Sequence, residues 1–170
     1  KNDLFSQWLG IEVLEVKDDD AGLNFEACDV AIDAIFGSGL SRPPAGVYES
    51  IIQLLNRSEV LKIAVDIPSG LMADAHSGGE IVKAHYTISF QLPKLAFLLP
   101  QTYPYTGEWV VVDIGLDKRF LKEVTTAHFY TRMRDVRKIL RVRSKYDHKG
   151  TFGHALLIAG SEGKIGAAVL

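Results

Sequence analysis

Two apolar runs that each break at a carboxylate and a glycine-containing turn set the tightest limit on how this chain can fold. Residues 29–36 (Asp-Val-Ala-Ile-Asp-Ala-Ile-Phe) and 61–65 (Leu-Lys-Ile-Ala-Val) are short and rich in β-branched side chains. The first is nearly continuous in its hydrophobicity, as in a strand covered on both faces. It runs into Gly37-Ser38-Gly39, and the second runs into Asp66 and the breakers Pro68, Ser69 and Gly70. Between them Val47, Ile51, Leu54 and Leu55 recur at helical spacing, which predicts a helix over residues 46–56 following the glycine turn. Residues 11–16, 86–90 and 109–114 read as further strands. Strands alternating with helices through short loops predict an α/β sheet with right-handed crossovers.

With 47% hydrophobic and 24% charged residues, the 170-residue chain reads as a soluble globular protein with room for a core. A net charge of −2 provides no general basic face, and no apolar run reaches membrane-spanning length, so neither nucleic acid nor a membrane is an expected partner. The single cysteine, Cys28, excludes an intrachain disulfide framework and fits the cytoplasm. After Asp113-Ile114-Gly115 the texture turns polar. A basic segment, residues 132–143, carries Val136, Ile139 and Leu140 as a narrow apolar stripe, which reads as a surface linker or short helix with its arginines in solvent and only those three residues buried. Residues 154–159 then read as a fresh strand closed by Gly160-Ser161. The first residue is not methionine and the last residues enter an apolar helix, so a fragment is expected. A partial sheet with a bare edge suits a homo-oligomer better than an independent monomer.

In an open parallel sheet, ligands gather beyond the carboxyl ends of the strands. Asp33 lies late in the first run, before Gly37, Ser38, Gly39, Leu40, Ser41, Arg42 and Pro43, where the backbone could approach a phosphate. A plain strand-to-helix turn would use the same residues. In Asp66-Ile67-Pro68-Ser69-Gly70-Leu71 the rigid proline could aim Asp66 into a crevice, although a capping or turn aspartate has the same pattern. His76, His85 and His128 are scattered and read as solvent-facing or hydrogen-bonded structural residues.

The ordered blocks Asp33-Ala34-Ile35-Phe36-Gly37-Ser38-Gly39-Leu40, Val65-Asp66-Ile67-Pro68-Ser69-Gly70-Leu71, Thr87-Ile88-Ser89-Phe90 with Lys94, and Val112-Asp113-Ile114-Gly115 resemble the NAD(P)H-hydrate epimerase family, the YjeF N-terminal domain. The resemblance spans residues 1–125. It implies a Rossmann-like three-layer α/β sheet that takes hydrated NADH and NADPH (NADHX and NADPHX) as substrates and interconverts their R and S epimers. It makes Gly37 to Pro43 the loop on the dinucleotide phosphates, Tyr48 a further contact and Asp66 the catalytic carboxylate. Asp33 and Ser69 match its potassium ligands, and their hard oxygens suit an alkali cation. The resemblance puts Lys94 near the cleft; an exposed or snorkelling lysine is the other reading. The family's Asn-Gly-Gly-Asp-Gly type of phosphate motif is absent from this chain, so a complete site is not expected in it.

Residues His148-Lys149-Gly150-Thr151-Phe152-Gly153-His154, then Leu156 to Ser161 and Gly166-Ala167-Ala168, resemble the opening of the ADP-dependent NAD(P)H-hydrate dehydratase, a ribokinase-like domain that uses ADP or ATP. There Ala167 falls where that family contacts the hydrated nucleotide; a glycine-flanked core helix start is the other reading. The expectation is thus an epimerase part over 1–125 and a linker with the start of a dehydratase over 126–170. The alternatives are a non-catalytic YjeF-like scaffold, as in relatives tied to mRNA decapping or apolipoprotein binding, and a small-molecule kinase of the ribokinase class.

Overall fold

A computed structural model describes residues 9–16 and 23–169. The chain divides into two compact units, Lys1–Thr126 and Ala127–Leu170. In the first, strands β1 (Val30–Asp33), β2 (Leu61–Val65), β3 (Tyr86–Phe90) and β4 (Glu108–Val112) form one sheet in the order β1-β2-β3-β4, with every neighbouring pair parallel. The register sets Asp33 beside Ala64, Val65 beside Ile88 and Phe90 beside Val112.

This order explains which face is covered. Right-handed crossovers that always step the same way place their connections on one side of the sheet. Ala31, Asp33, Lys62, Ala64, Thr87 and Ser89 are buried on that side, whereas Val30, Ile32, Tyr86, Ile88, Val110 and Val112 on the other are exposed. Of the two covering layers expected for a Rossmann-like fold, the described residues supply one.

Helix α1 (Val47–Arg57) provides much of that layer. Its apolar stripe buries Ile52 and Leu55 against Ala31, Val60, Ala64, Val82 and Ala84, and burying each large aliphatic side chain contributes about 1.5–3 kcal/mol. The helix begins one residue after the predicted Gly46, which with φ of +61° serves as its N-cap. Lys62 is buried in β2 because its Nζ donates to the carbonyls of Ser58, at 2.6 Å, and Val60 just beyond the end of α1. A second cluster, Ile67, Leu71, Ile81, Ala96 and Phe97, fixes the segment that follows β2.

Residues 11–16 and 154–159 are not strands. An apolar run becomes a strand only where a neighbour accepts its ladder hydrogen bonds; the described sheet ends at β1, and Leu156, Leu157 and Ile158 stay exposed. In the second unit the basic segment is helical only over Met133–Ile139, with Val136 half-buried. Ile139 and Leu140 are 79% and 66% exposed, not buried, because a seven-residue helix ends before its stripe meets a covering surface. Among the described residues this unit holds helices and turns but no strand, and its ribokinase-like character remains an expectation from its sequence.

Candidate functional site

Two aspartates at strand ends organise the carboxyl edge of the sheet. Asp33, the last residue of β1, is 2% exposed, and Ser69, in the turn after β2, is fully buried. They meet: the Ser69 hydroxyl donates to Asp33 Oδ1 at 2.6 Å, and the Ser69 amide donates to Oδ2 at 2.7 Å. The Ile35 amide also reaches Oδ1 at 3.3 Å, while Phe36 N–H donates to Ser69 Oγ at 2.9 Å. One carboxylate and one hydroxyl thus stitch the β1 and β2 loops together. The turn that presents Ser69 is closed by Leu71 N–H to Pro68 O, at 3.0 Å, and by Val82 N–H to Ser69 O, at 2.9 Å. Gly70 is obligatory there: its φ is +94°, and a Cβ would fall 2.2 Å from Glu80 O.

Asp66 directly follows β2 with φ of +68°, while its N–H still donates to Ile88 O at 2.8 Å. The kink turns its side chain over the end of β3. Oδ1 accepts the Lys94 ammonium at 2.6 Å and Phe90 N–H at 3.2 Å. Oδ2 faces Gly37, 3.9 Å from where a Cβ on that glycine would stand. Burial is the largest single influence on Asp66 and raises its pKa. It is outweighed by the Lys94 and Phe90 hydrogen bonds, the Lys94 charge and the Ser38 side chain, so the carboxyl lies below its ordinary value.

The expected loop residues converge here in part. Ser38 reaches Asp66, and Gly37, Gly39, Ser41 and Arg42 line a shallow depression beside it. Gly37 and Gly39 do not use left-handed backbone; they leave open space instead. Leu40 is half-buried, Pro43 is exposed, and Tyr48 packs against Phe36 with its ring tilted by 57° and the centroids 5.0 Å apart. Ala167 lies in the other unit, in the helix Gly166–Val169. His85 has a structural role, its Nδ1 accepting from Lys62 N–H at 3.0 Å.

Lys94 is not a free surface lysine: its side chain is 15% exposed and bound to Asp66. Spacing gave no sign of this, since the partners are 28 residues apart. Gln91 also escaped sequence reasoning. At φ of +63°, its Oε1 accepts the amides of Ile114, at 3.1 Å, and Leu116, at 3.4 Å, clamping the loop after β4. In that loop the Gly115 amide, followed by Gln91, holds the exposed Asp113 carboxyl below its ordinary value.

Residues 2–96 match the family described as YjeF-related protein N-terminus. The chain is 36% identical over 146 residues to the bifunctional NAD(P)H-hydrate repair enzyme Nnr of Moorella thermoacetica, covering 84% of this chain and 27% of that protein. To the enzyme of the same name from Thermofilum pendens it is 39% identical over 143 residues, covering 84% and 26%. For Vibrio cholerae the figures are 34% over 146 residues, 85% and 30%. The chain therefore spans between a quarter and a third of the length of these curated relatives. With a parallel sheet whose first two strand ends hold Asp33, Asp66 and Ser69, and a family match over more than half its length, the chain belongs to the YjeF-related protein N-terminus family.

Proposed function

We propose that this chain supplies part of an NAD(P)H-hydrate epimerase, acting on NADHX and NADPHX, within a repair enzyme that also performs ADP-dependent dehydration. The observation that carries the reading is Asp66: a partly buried carboxylate at a strand end, facing an open glycine loop. The relatives' printed names, NAD(P)H-hydrate repair enzyme, supply the substrate class. Their description as bifunctional supports the dehydratase half, to which His148 to Gly153 and Ala167 would belong, with ADP or ATP as its nucleotide.

Epimerisation at C6 needs one hydroxyl to leave as water and another water to add from the opposite face. The ring nitrogen of the hydrated nicotinamide pushes out the protonated hydroxyl, leaving an iminium ion. One proton is delivered and one removed, so a single carboxyl cycling between its two forms closes the balance. We assign that cycle to Asp66, whose Oδ2 faces the glycine loop. As a carboxylate it opposes the iminium charge and takes the proton of the incoming water; as a carboxylic acid, the scarcer form, it is a strong proton donor. Gly37, Ser38, Gly39, Leu40, Ser41, Arg42 and Pro43 would follow the dinucleotide phosphates, with Tyr48 beside them.

Asp33 and Ser69 would hold a potassium ion through buried carboxylate and hydroxyl oxygens, hard donors that suit an alkali cation. Among the described residues no group of three His, Cys, Asp or Glu side chains suits a transition metal. A cation held there would offset the charge of the substrate phosphates. Among the described residues no helix is long and apolar enough to cross a membrane. A cytoplasmic homo-oligomer is the setting we assign, on the single cysteine of the sequence and a sheet that, among the described residues, has no strand beyond β1 or β4.

The test is Asp66→Asn in the intact protein, following conversion of the R epimer with dehydratase in excess. Turnover should fall by about 10²-fold or more with nucleotide binding retained. A near wild-type rate would remove Asp66 from the mechanism.

A further inference from the structure

Lys94 is held by more than one partner. Its Nζ lies 2.6 Å from Asp66 Oδ1, 3.1 Å from Phe90 O and 3.4 Å from Leu92 O, so all three ammonium protons have acceptors. Lys94 immediately precedes the short helix Leu95–Leu98, which is tied to the core by Ala96 and Phe97 and by Ala96 N–H to Ala73 O, at 2.9 Å. The base of the lysine is therefore fixed as well as its tip.

We propose that Lys94 is the positioning residue for Asp66: it occupies Oδ1 together with Phe90 N–H and so presents Oδ2, toward the Gly37–Ser38 loop, as the oxygen that exchanges the proton. This rests on the epimerase reading for its chemistry, but the geometry stands apart from it. The groups facing Asp66 are Lys94 and the Phe90 amide from the segment around the end of β3, and Ser38 and Gly37 from the loop after β1. Lys94 brings the positive charge. Without it, Oδ1 keeps one amide donor, the carboxylate can rotate, and its protonated form becomes easier to reach.

The experiment compares wild type, Lys94→Met and Lys94→Arg in the intact protein by two readouts. One is the titration of the Asp66 carboxyl carbon by NMR, which needs no turnover; the other is the pH profile of epimerisation. In Lys94→Met the Asp66 titration and the acid limb of kcat/KM should both move to higher pH. Its kcat should fall about tenfold or more, with a smaller change in KM. Lys94→Arg, which keeps the charge, should return the titration toward wild type. If Lys94→Met does not fold, Lys94→Gln replaces it with the same expectations. An Asp66 titration unmoved by loss of the Lys94 charge, or a kcat loss without movement of the acid limb, overturns the proposal. A wild-type protein lacking epimerase activity would instead defeat the functional reading, and the carboxyl titration would still decide the role of Lys94.

Discussion

Replacing Asp33 by asparagine should loosen the site through a deficit of acceptors that can be worked out donor by donor. Three donors converge on its two oxygens: the Ser69 amide at 2.7 Å, the Ser69 hydroxyl at 2.6 Å and the Ile35 amide at 3.3 Å. Asparagine keeps one oxygen and puts an NH₂ where the other stood. In one orientation that NH₂ faces the Ser69 amide; in the other it faces the Ile35 amide, and the Ser69 hydroxyl proton loses its acceptor too. At least one donor is orphaned. A buried unpaired donor costs about 1–3 kcal/mol, and weakening the remaining charge-assisted bonds adds about 1 kcal/mol. Asp33→Asn should therefore cost about 2–4 kcal/mol. Ser69→Ala, which also strips Phe36 N–H of its acceptor, should cost about 1–3 kcal/mol. Because both changes break one network, the double variant should lose clearly less than the sum. Hydrogen exchange of the Ser69 amide in the intact protein reads the local opening free energy directly. Asp33→Asn within about 0.5 kcal/mol of wild type, or strictly additive losses, would show that these contacts do not hold the turn.

Gly70→Ala should cost at least about 2 kcal/mol, because the left-handed φ and the 2.2 Å approach to Glu80 O leave a methyl no space; an unchanged thermal midpoint would contradict this. The Asp66–Lys94 pair should make stability pH-dependent in a fixed direction. Asp66 has a folded-state pKa below its ordinary 3.8, so its contribution is present above that value and is lost as pH falls through the lowered one. Stability curves of wild type and Lys94→Met should accordingly converge in acid, and parallel curves would refute the linkage. Ser89 Oγ is buried without a hydrogen-bond partner among the described residues, so Ser89→Ala should be neutral or stabilise by up to about 1 kcal/mol. A loss larger than that, measured by urea unfolding, would reveal a contact that the hydroxyl makes.

The sequence marks β2 and β3 to the residue: breakers close the first, β-branched residues mark the second, and neighbouring strands supply the ladder for both. Helix α1 was placed within one residue by its apolar spacing. Residues 11–16 and 154–159 carry a strand pattern without forming strands, since hydrophobicity measures the wish for cover and not the presence of a partner strand. Residues 29–36 shortened to Val30–Asp33 because beyond Asp33 the amides of Ile35 and Phe36 turn to Asp33 and Ser69 instead of to a ladder. Asp33 and Ser69 were linked through family resemblance, as no local pattern joins residues 36 positions apart. The grip of Lys94 on Asp66 lay beyond both routes, being fixed by the register of β2 against β3 and the packing of Phe97.

The backbone at position 66 has a consequence for what selection could ever place there. At φ of +68°, aspartate, asparagine and glycine are accommodated readily, whereas β-branched and bulky residues are strained by about 1–2 kcal/mol. A library randomised at this codon and screened only for folded protein should return chiefly those three. Screened for turnover, it should return aspartate alone, since glycine has no side chain to reach the substrate and asparagine no proton to exchange. The residue at this strand end is the overlap of a conformational filter and a chemical one, so its persistence in a lineage would not by itself report catalysis.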